Sequence, residues 1–325
     1  MTPSIQVFVP TFNRSRSLVE AIKSIQAQSF TDYEVLVLDN CSSDDTAKQI
    51  EILSSSDTRI KHIRRGVNIG MMGNFNSIKS LIRSPFFCVL TDDDIYEPNF
   101  LKDATALLEQ FREADAAIFN APTRRDGVII GSQLSKWEEG LYKKGRALPY
   151  VLSGHHPIVT NCLFRESIKH LFHFKNDLRG SADIYFLVTL TAEHSVVVSK
   201  IVSGYYNITG SNESVLADGI ERIYQRIKLN QFVAQYLGRQ DIGLFPPSCA
   251  GAILLIIRYS TTRSIGEELY AKKISSEYGI IFKIALIALS KNFILLPVKY
   301  LINILASFKL NFGKFLYTPI LQINK

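Results

Sequence analysis

Phe86-Phe87-Cys88-Val89-Leu90-Thr91-Asp92-Asp93-Asp94 sets an unbroken apolar run directly against three acids. A run of this kind reads as a strand covered on both faces, as in parallel sheets. In open parallel sheets ligands bind beyond the carboxyl ends of the strands, where these acids stand. Three adjacent carboxylates repel one another. A divalent cation relieves that repulsion, and hard oxygen ligands suit Mg2+ or Mn2+. Mg2+ takes one or two protein carboxylates and fills its shell with phosphate and water, so the cluster points to a diphosphate ligand. Taken alone, the same acids also read as a solvated turn capping the next helix.

On either side of this stretch, strand-like and helix-like segments alternate. Ile5–Val9 is a short apolar run ending at Pro10; Leu18, Ile22 and Ile25 then recur at helical spacing. Val35–Leu38 is a second buried strand. Ser42 or Ser43, followed by Asp44 and Asp45, reads as a helix N-cap. Ile60–Ile63 is a weaker strand, Asn74–Ile82 a helix, and Pro98, at a first helical position, opens a helix through Phe111. Ala116–Phe119 is a fifth strand, Ser181–His194 a helix, Val196–Val202 a strand, and Gly219–Leu237 helical. The alternation predicts an α/β fold, a doubly wound, Rossmann-like and mostly parallel sheet. The apolar runs break into Thr11-Phe12-Asn13-Arg14, Asp39-Asn40, Arg64-Arg65 and Asp92-Asp93-Asp94, and three of these four are expected to meet around one ligand.

Composition excludes several classes. A chain of 325 residues with 46% hydrophobic and 21% charged side chains can bury a full core. Cys41, Cys88, Cys162 and Cys249 lie far apart, which argues against a disulfide framework or a zinc site. The start of the chain lacks the basic region and cleavage site of a secretory signal. The whole net charge of +7 resides in the last stretch, 271–325, which holds eight lysines and one acid, Glu277. A nucleic-acid binder would spread such charge over a folded face, so no nucleic-acid partner is expected. Lys283, Lys291 and Lys299 interrupt the apolar tail, and Pro297 would kink a helix there; this reads as an in-plane amphipathic segment at a membrane surface rather than a span. A basic helical subdomain packed on the core is the alternative.

The motifs in combination are more specific than any one of them. Val7 to Arg14, Val37 to Thr46, Asn68-Ile69-Gly70 and Thr91 to Asp94, in this order and spacing, resemble glycosyltransferase family 2. The resemblance covers roughly residues 4–215. It implies the GT-A fold and transfer from a nucleotide-sugar donor, with Pro10, Thr11, Asn13, Arg14, Asp39, Asn68, Asp92 and Asp93 around the nucleotide-sugar. It further implies that Asp39 accepts a hydrogen bond from the base, and that Asp94, with Asp92, holds the Mn2+ or Mg2+ ion. Without the surrounding motif, Asp39 reads as an acid ending a strand.

The resemblance also calls for a base, because a sugar hydroxyl is a poor nucleophile. Ser181-Ala182-Asp183-Ile184 matches the family's helix start, with Asp183 as the catalytic base and Asp177 and Glu193 as rivals. An acid favoured at a helix N-terminus is the plainer reading of Asp183. His155 and His156 lie in the loop that faces the acceptor. Many members carry a metal-binding histidine where Thr209 stands here, and no Gln-x-x-Arg-Trp follows Trp137, which favours single-sugar addition over processive synthesis. The expected organisation is a GT-A catalytic domain over 1–215 (donor half 1–100, acceptor half 101–215), a helical extension over 216–275 and a membrane-associating tail over 276–325. The acceptor implied is a lipid-linked glycan at the cytoplasmic face of the inner membrane, where the enzyme would be peripheral. A nucleotidyltransferase would need a Gly-rich, lysine-bearing loop after the first strand, which Pro10–Arg14 is not; a silent nucleotide-sugar binder stays open.

Overall fold

The computed structural model describes residues 2–152 and 155–208, with Gln225, Leu229, Phe232, Val233 and Tyr236. The chain divides into two compact units, Met1–Leu216 and Ala217–Lys325. In the second, the five described residues are helical, and Leu229 and Val233, one turn apart, are buried. Most of the helical extension, all of the lysine-rich tail and Thr209 lie outside the described residues. Among the described residues, no helix is long and apolar enough to cross a membrane.

In the first unit β1 (Ile5–Thr11), α1 (Ser15–Gln26), β2 (Tyr33–Asp39), α2 (Thr46–Ser56), β3 (Ile60–Arg64), α3 (Gly70–Leu81) and β4 (Phe86–Val89) alternate as expected. After them come β5 (Ile95–Tyr96), α4 (Phe100–Gln110), β6 (Ala116–Asn120), β7 (Thr123–Arg125), β8 (Val128–Gly131), β9 (Gly140–Tyr142) and α5 (Leu148–Leu152). The unit ends with β10 (Cys162–Arg165), α6 (Ala182–Glu193), β11 (Val196–Val202) and β12 (Gly204–Ile208), with 3-10 turns at Val159–Asn161, Glu166–Leu171 and Asn176–Ser181. The main sheet runs β3-β2-β1-β4-β10-β6-β11-β9, and a smaller one runs β5-β12-β7-β8.

β1 pairs in parallel with β2 and β4, β2 with β3, and β6 with β11. β10 is antiparallel to both of its neighbours, β4 and β6. The sheet is therefore mixed, and the insertion has a consequence for the site. Because β10 runs backwards, its beginning, not its end, lies at the edge where the parallel strands finish.

Local chemistry explains the frame. All seven residues of β1 are buried, including Gln6. Its amide is saturated: Nε2 donates to Glu34 Oε1 and the Leu81 carbonyl, and Oε1 accepts from the backbone N–H groups of Arg83 and Ser84. That pins the α3–β4 turn against β1. In α1, Leu18, Ala21, Ile22 and Ile25 face the core as their spacing predicts. α6 is apolar nearly all round and is correspondingly buried from Phe186 to Ala192. Phe186 packs edge-on against Phe164 of β10 and Phe172, at centroid separations of 5.6 and 5.1 Å.

Two helix starts differ from the sequence expectation. α2 begins at Thr46, later than a Ser42 or Ser43 cap would start it, and it is Asp44 Oδ1 that accepts from the Thr46 N–H. The other oxygen of Asp44 accepts from Ser15 N at the start of α1, so one carboxylate serves two helix ends. α4 begins at Phe100 behind Asn99, which leaves Pro98 outside the helix, its carbonyl accepting from Ser29 N–H. The short strand β5 and the loop turn it makes displace the helix start by two residues.

Candidate active site

Four polar segments end at the carboxyl edge of the parallel strands, and all four, rather than three, are linked by side-chain bonds. After β1 and β2 the backbone turns through the left-handed region at Asn13 (φ 53°) and Cys41 (φ 68°). Asn is among the few non-glycine residues that adopt this conformation readily, and Asn13 is held by the loop after β2: Oδ1 accepts from Ser43 N at 2.8 Å, while its own N–H donates to Ser42 Oγ at 2.9 Å. Asn40 Nδ2 donates to Asn68 Oδ1, and Asn40 Oδ1 accepts from Ile69 N, joining the loops after β2 and β3.

Asp39 is fully buried at the end of β2. Its Oδ1 accepts from Ser42 N at 2.8 Å and its Oδ2 from Arg64 Nη1 at 2.9 Å, with His62 Nε2 at 3.4 Å. Arg64 also donates to the Ser42 carbonyl. Thus Asp39 organises the rim of the β2 loop through its neighbours on β3. Thr11 lies buried beside it, and Asn40 N–H donates to the Thr11 carbonyl, carrying the sheet ladder past the strand ends.

The three acids occupy three environments. Arg14 Nη1 reaches Asp92 Oδ1 at 3.1 Å and Asp93 Oδ2 at 2.6 Å. Burial pushes the Asp92 carboxyl up to about 6, against the opposing pull of Arg14. Asp94 is 1% exposed and, among the described residues, meets no cation. Oδ2 accepts from Thr91 Oγ1 and Thr160 Oγ1, and Oδ1 from Asn207 N. Burial and the charge of Asp93 raise it to about 7. A carboxylate offers roughly four acceptor positions, so three neutral donors leave room for one more partner. A buried acid without a countercharge, beside two others, fits a hard divalent cation.

Thr160 and Asn207 were not singled out by the sequence. Thr160 sits in the 3-10 turn before β10, and the reversed direction of that strand brings the turn to the site edge. Asn207 comes from β12, two residues short of Thr209; its side chain also donates to the Asp93 carbonyl and accepts from Arg124 Nε. β12 can approach this closely because of Gly204. A Cβ there would lie 2.4 Å from the Ile95 carbonyl oxygen and 2.6 Å from Asn161 Nδ2. A cavity of ≈ 480 Å³ opens beside Asp93, lined by Glu20, Arg124, Asp126 and Asn207 among others.

Asp183 lies in the first turn of α6, partly buried, with Oδ1 accepting from Ile184 N at 2.8 Å. Burial raises its pKa, and the charge of His156 pulls it back down. The structure therefore brings His156 to Asp183. His155 is fixed through its backbone: its carbonyl accepts from Trp137 Nε1 at 2.6 Å and its N–H donates to the Tyr150 carbonyl. Trp137 is fully buried and stacked on Tyr150 at 4.9 Å. Of the two rivals, Asp177 is exposed and Glu193 ends α6, roughly 15 Å along the helix from Asp183.

A mostly parallel sheet whose strand ends converge on acids and an arginine defines a GT-A-like scaffold. The family model "Glycosyl transferase family 2" matches residues 6–172, and the chain belongs to that family. Among curated relatives, a GalNAc(5)-diNAcBac-PP-undecaprenol beta-1,3-glucosyltransferase of Campylobacter jejuni is 38% identical over 118 residues, 36% of this chain and 37% of that protein. The putative colanic acid biosynthesis glycosyl transferase WcaA of Escherichia coli is 30% identical over 99 residues, 30% of this chain and 36% of that one. The chain thus spans little over a third of the length of these relatives. Among solved structures, S. aureus TarS 1-349 in complex with UDP-GlcNAc superposes with a TM-score of 0.58 at 17% identity, covering 82% of this chain and 78% of that one. Mannosyltransferase PcManGT of Pyrobaculum calidifontis, in complex with GDP-Man and Mn2+, gives 0.53 at 14% identity, covering 91% and 88%. At these identities the likeness carries the GT-A fold.

Proposed function

We propose that this protein transfers a single sugar, with inversion, from a UDP- or dTDP-sugar to a lipid-linked glycan at the cytoplasmic membrane face, in surface-polysaccharide assembly. One observation carries the reading: Thr160 Oγ1 bonds Asp94 Oδ2 in the buried floor of the site. Through that bond the segment from His155 to Asn161 is tied to Asp94 at the strand ends. The relatives named for undecaprenol-linked and colanic acid substrates support the acceptor class. The TarS complex with UDP-GlcNAc supports the donor class.

In this reading Pro10, Thr11, Asn13, Asp39 and Asn68 frame the nucleoside, and Arg14 and Asp93 flank the diphosphate. Asp94, with Asp92, would hold a divalent ion, Mn2+ or Mg2+. Such an ion supplies Lewis-acid stabilisation of the charge on the departing diphosphate. Asp183 takes the proton of the acceptor hydroxyl as that oxygen bonds to the anomeric carbon and the bond from carbon to diphosphate breaks. Its raised pKa makes it a stronger base than an exposed aspartate. The charge of His156 opposes that rise.

The test is release of nucleoside diphosphate from a panel of donors, with Mn2+ or Mg2+ and an undecaprenyl-linked acceptor. Turnover with a UDP- or dTDP-sugar, lost in Asp183→Asn while donor binding persists, is the expected result. Donor binding without turnover by the folded wild type would make the protein a silent nucleotide-sugar binder instead.

A further inference from the structure

At the edge of the main sheet where the parallel strands begin, His170, Glu193 and His194 bring one ligand atom each to within 4.8 Å of one another. His170 comes from the 3-10 turn before Asn176, while Glu193 and His194 end α6. The group lies at the far end of α6 from Asp183 and shares no residue with the site described above.

The two imidazoles are already oriented as metal ligands are. His194 Nδ1 lies 2.9 Å from Asp115 Oδ2, and His170 Nδ1 lies 3.0 Å from the Ser167 carbonyl oxygen. A carbonyl can only accept, so His170 Nδ1 carries the proton; a carboxylate beside His194 Nδ1 selects the same tautomer. Both Nε2 atoms are then left as lone-pair donors. Carboxylate–histidine and carbonyl–histidine pairs of this sort fix the ring and raise its basicity at metal sites. Asp115 is itself held, accepting from Ser167 Oγ at 2.8 Å. The rings stand with centroids 5.7 Å apart. The C-terminal end of a helix adds a partial negative charge that favours a cation.

We infer that His170 Nε2, His194 Nε2 and the Glu193 carboxylate form a three-ligand zinc site with an open fourth position, joining the Glu166–Leu171 turn to the end of α6. Two imidazoles and one carboxylate suit Zn2+, with water completing the shell. Zinc bonds of this type hold ligand atoms about 3.3 Å apart, so atoms up to 4.8 Å apart must close by up to about 1.5 Å on binding. Widely spaced cysteines argued against a zinc site, and they play no part in this one. The inference stands independently of the sugar-transfer reading.

The experiment uses the full chain, stripped with EDTA, desalted and titrated with Zn2+ against a fluorescent zinc chelator. Asp94→Asn is included to remove any ion held at the triple acid. One equivalent retained alike by wild type and Asp94→Asn is expected, with His170→Ala and Glu193→Gln each weakening it by more than about 100-fold and Asp115→Asn by roughly 10- to 100-fold. Circular dichroism establishes that each variant is folded, and substitution with Co2+ should give the visible band of a low-coordinate histidine site. Failure of the wild type to retain zinc, or equal affinity in wild type, His170→Ala and Glu193→Gln, would overturn the assignment. So would loss of the equivalent in Asp94→Asn alone.

Discussion

The two halves of the catalytic unit build their share of the site by different means. In the proposed donor half, 1–100, the candidate residues end a parallel strand or follow one within a few positions, and neighbouring strand-end loops are stitched to one another, Asn13 to Ser43 and Asn40 to Asn68. In the acceptor half, Thr160, Asp183 and Asn207 come from a 3-10 turn, a helix start and an edge strand, and they are assembled by an aromatic cluster and an antiparallel insertion. The donor half is therefore one construction repeated between neighbouring parallel strands, and the acceptor half gathers residues from three different kinds of element. The first should fail gradually under mutation and the second abruptly.

The largest effect is expected at Asp183. Asp183→Asn should lower kcat by roughly 10²- to 10⁴-fold with donor affinity unchanged, measured by turnover and by titration of the donor. An unchanged kcat would move the base elsewhere and remove the contrast in chemistry between the halves. Next comes Trp137→Ala, which empties a fully buried site and frees the His155 carbonyl; it should cost about 3–5 kcal/mol in denaturant unfolding. Asn13→Ala tests the donor half. It loses both hydrogen bonds from Ser43 and places alanine at φ 53°, so about 1–2 kcal/mol of stability and a raised donor KM are expected.

Two smaller effects depend on pH. Asp94 is raised to about 7, so the folded protein without a divalent ion holds a proton that the unfolded chain releases near 4. Stability from this group is complete below about 4 and is lost as pH rises toward 7. Added Mn2+ should thus raise Tm more at pH 7.5 than at pH 5; an equal rise at both would detach the ion from Asp94. His156→Ala removes the charge that holds Asp183 down, so the acidic limb of kcat should move to higher pH. A shift to lower pH would show that His156 acts otherwise.

The same contrast governs what the sequence made legible. Apolar runs broken by polar residues announced β1 to β4 and their loops, because in a parallel sheet strand, turn and site residue are consecutive in the chain. Asp183 was singled out only through the resemblance of Ser181-Ala182-Asp183-Ile184 to a family helix start, since an acid there also reads as a plain helix N-terminal residue. Thr160 was not, since it precedes its strand, and only an antiparallel β10 makes such a position equivalent to one that follows a strand. The signal was confined to Thr160-Asn161 ahead of the apolar Cys162-Leu163-Phe164, and the direction of the strand could not be read locally. Asn207 depends on Gly204, whose lack of a side chain lets β12 lie against Ile95. The later starts of α2 and α4 go with bonds the sequence did not announce: Asp44 accepts from Thr46 and from Ser15 of α1, and the Pro98 carbonyl accepts from Ser29.

The reversed strand β10 also imposes an order on synthesis. Once β1 to β4 have left the ribosome they can pair, yet β4 then presents an open edge of unpaired backbone groups. That edge closes only when Cys162–Arg165 emerges, after β6, its other neighbour, has already been made. Between those moments the nascent chain carries a sticky strand with no mate, and a pause or a premature stop in that interval would release a fragment prone to aggregate.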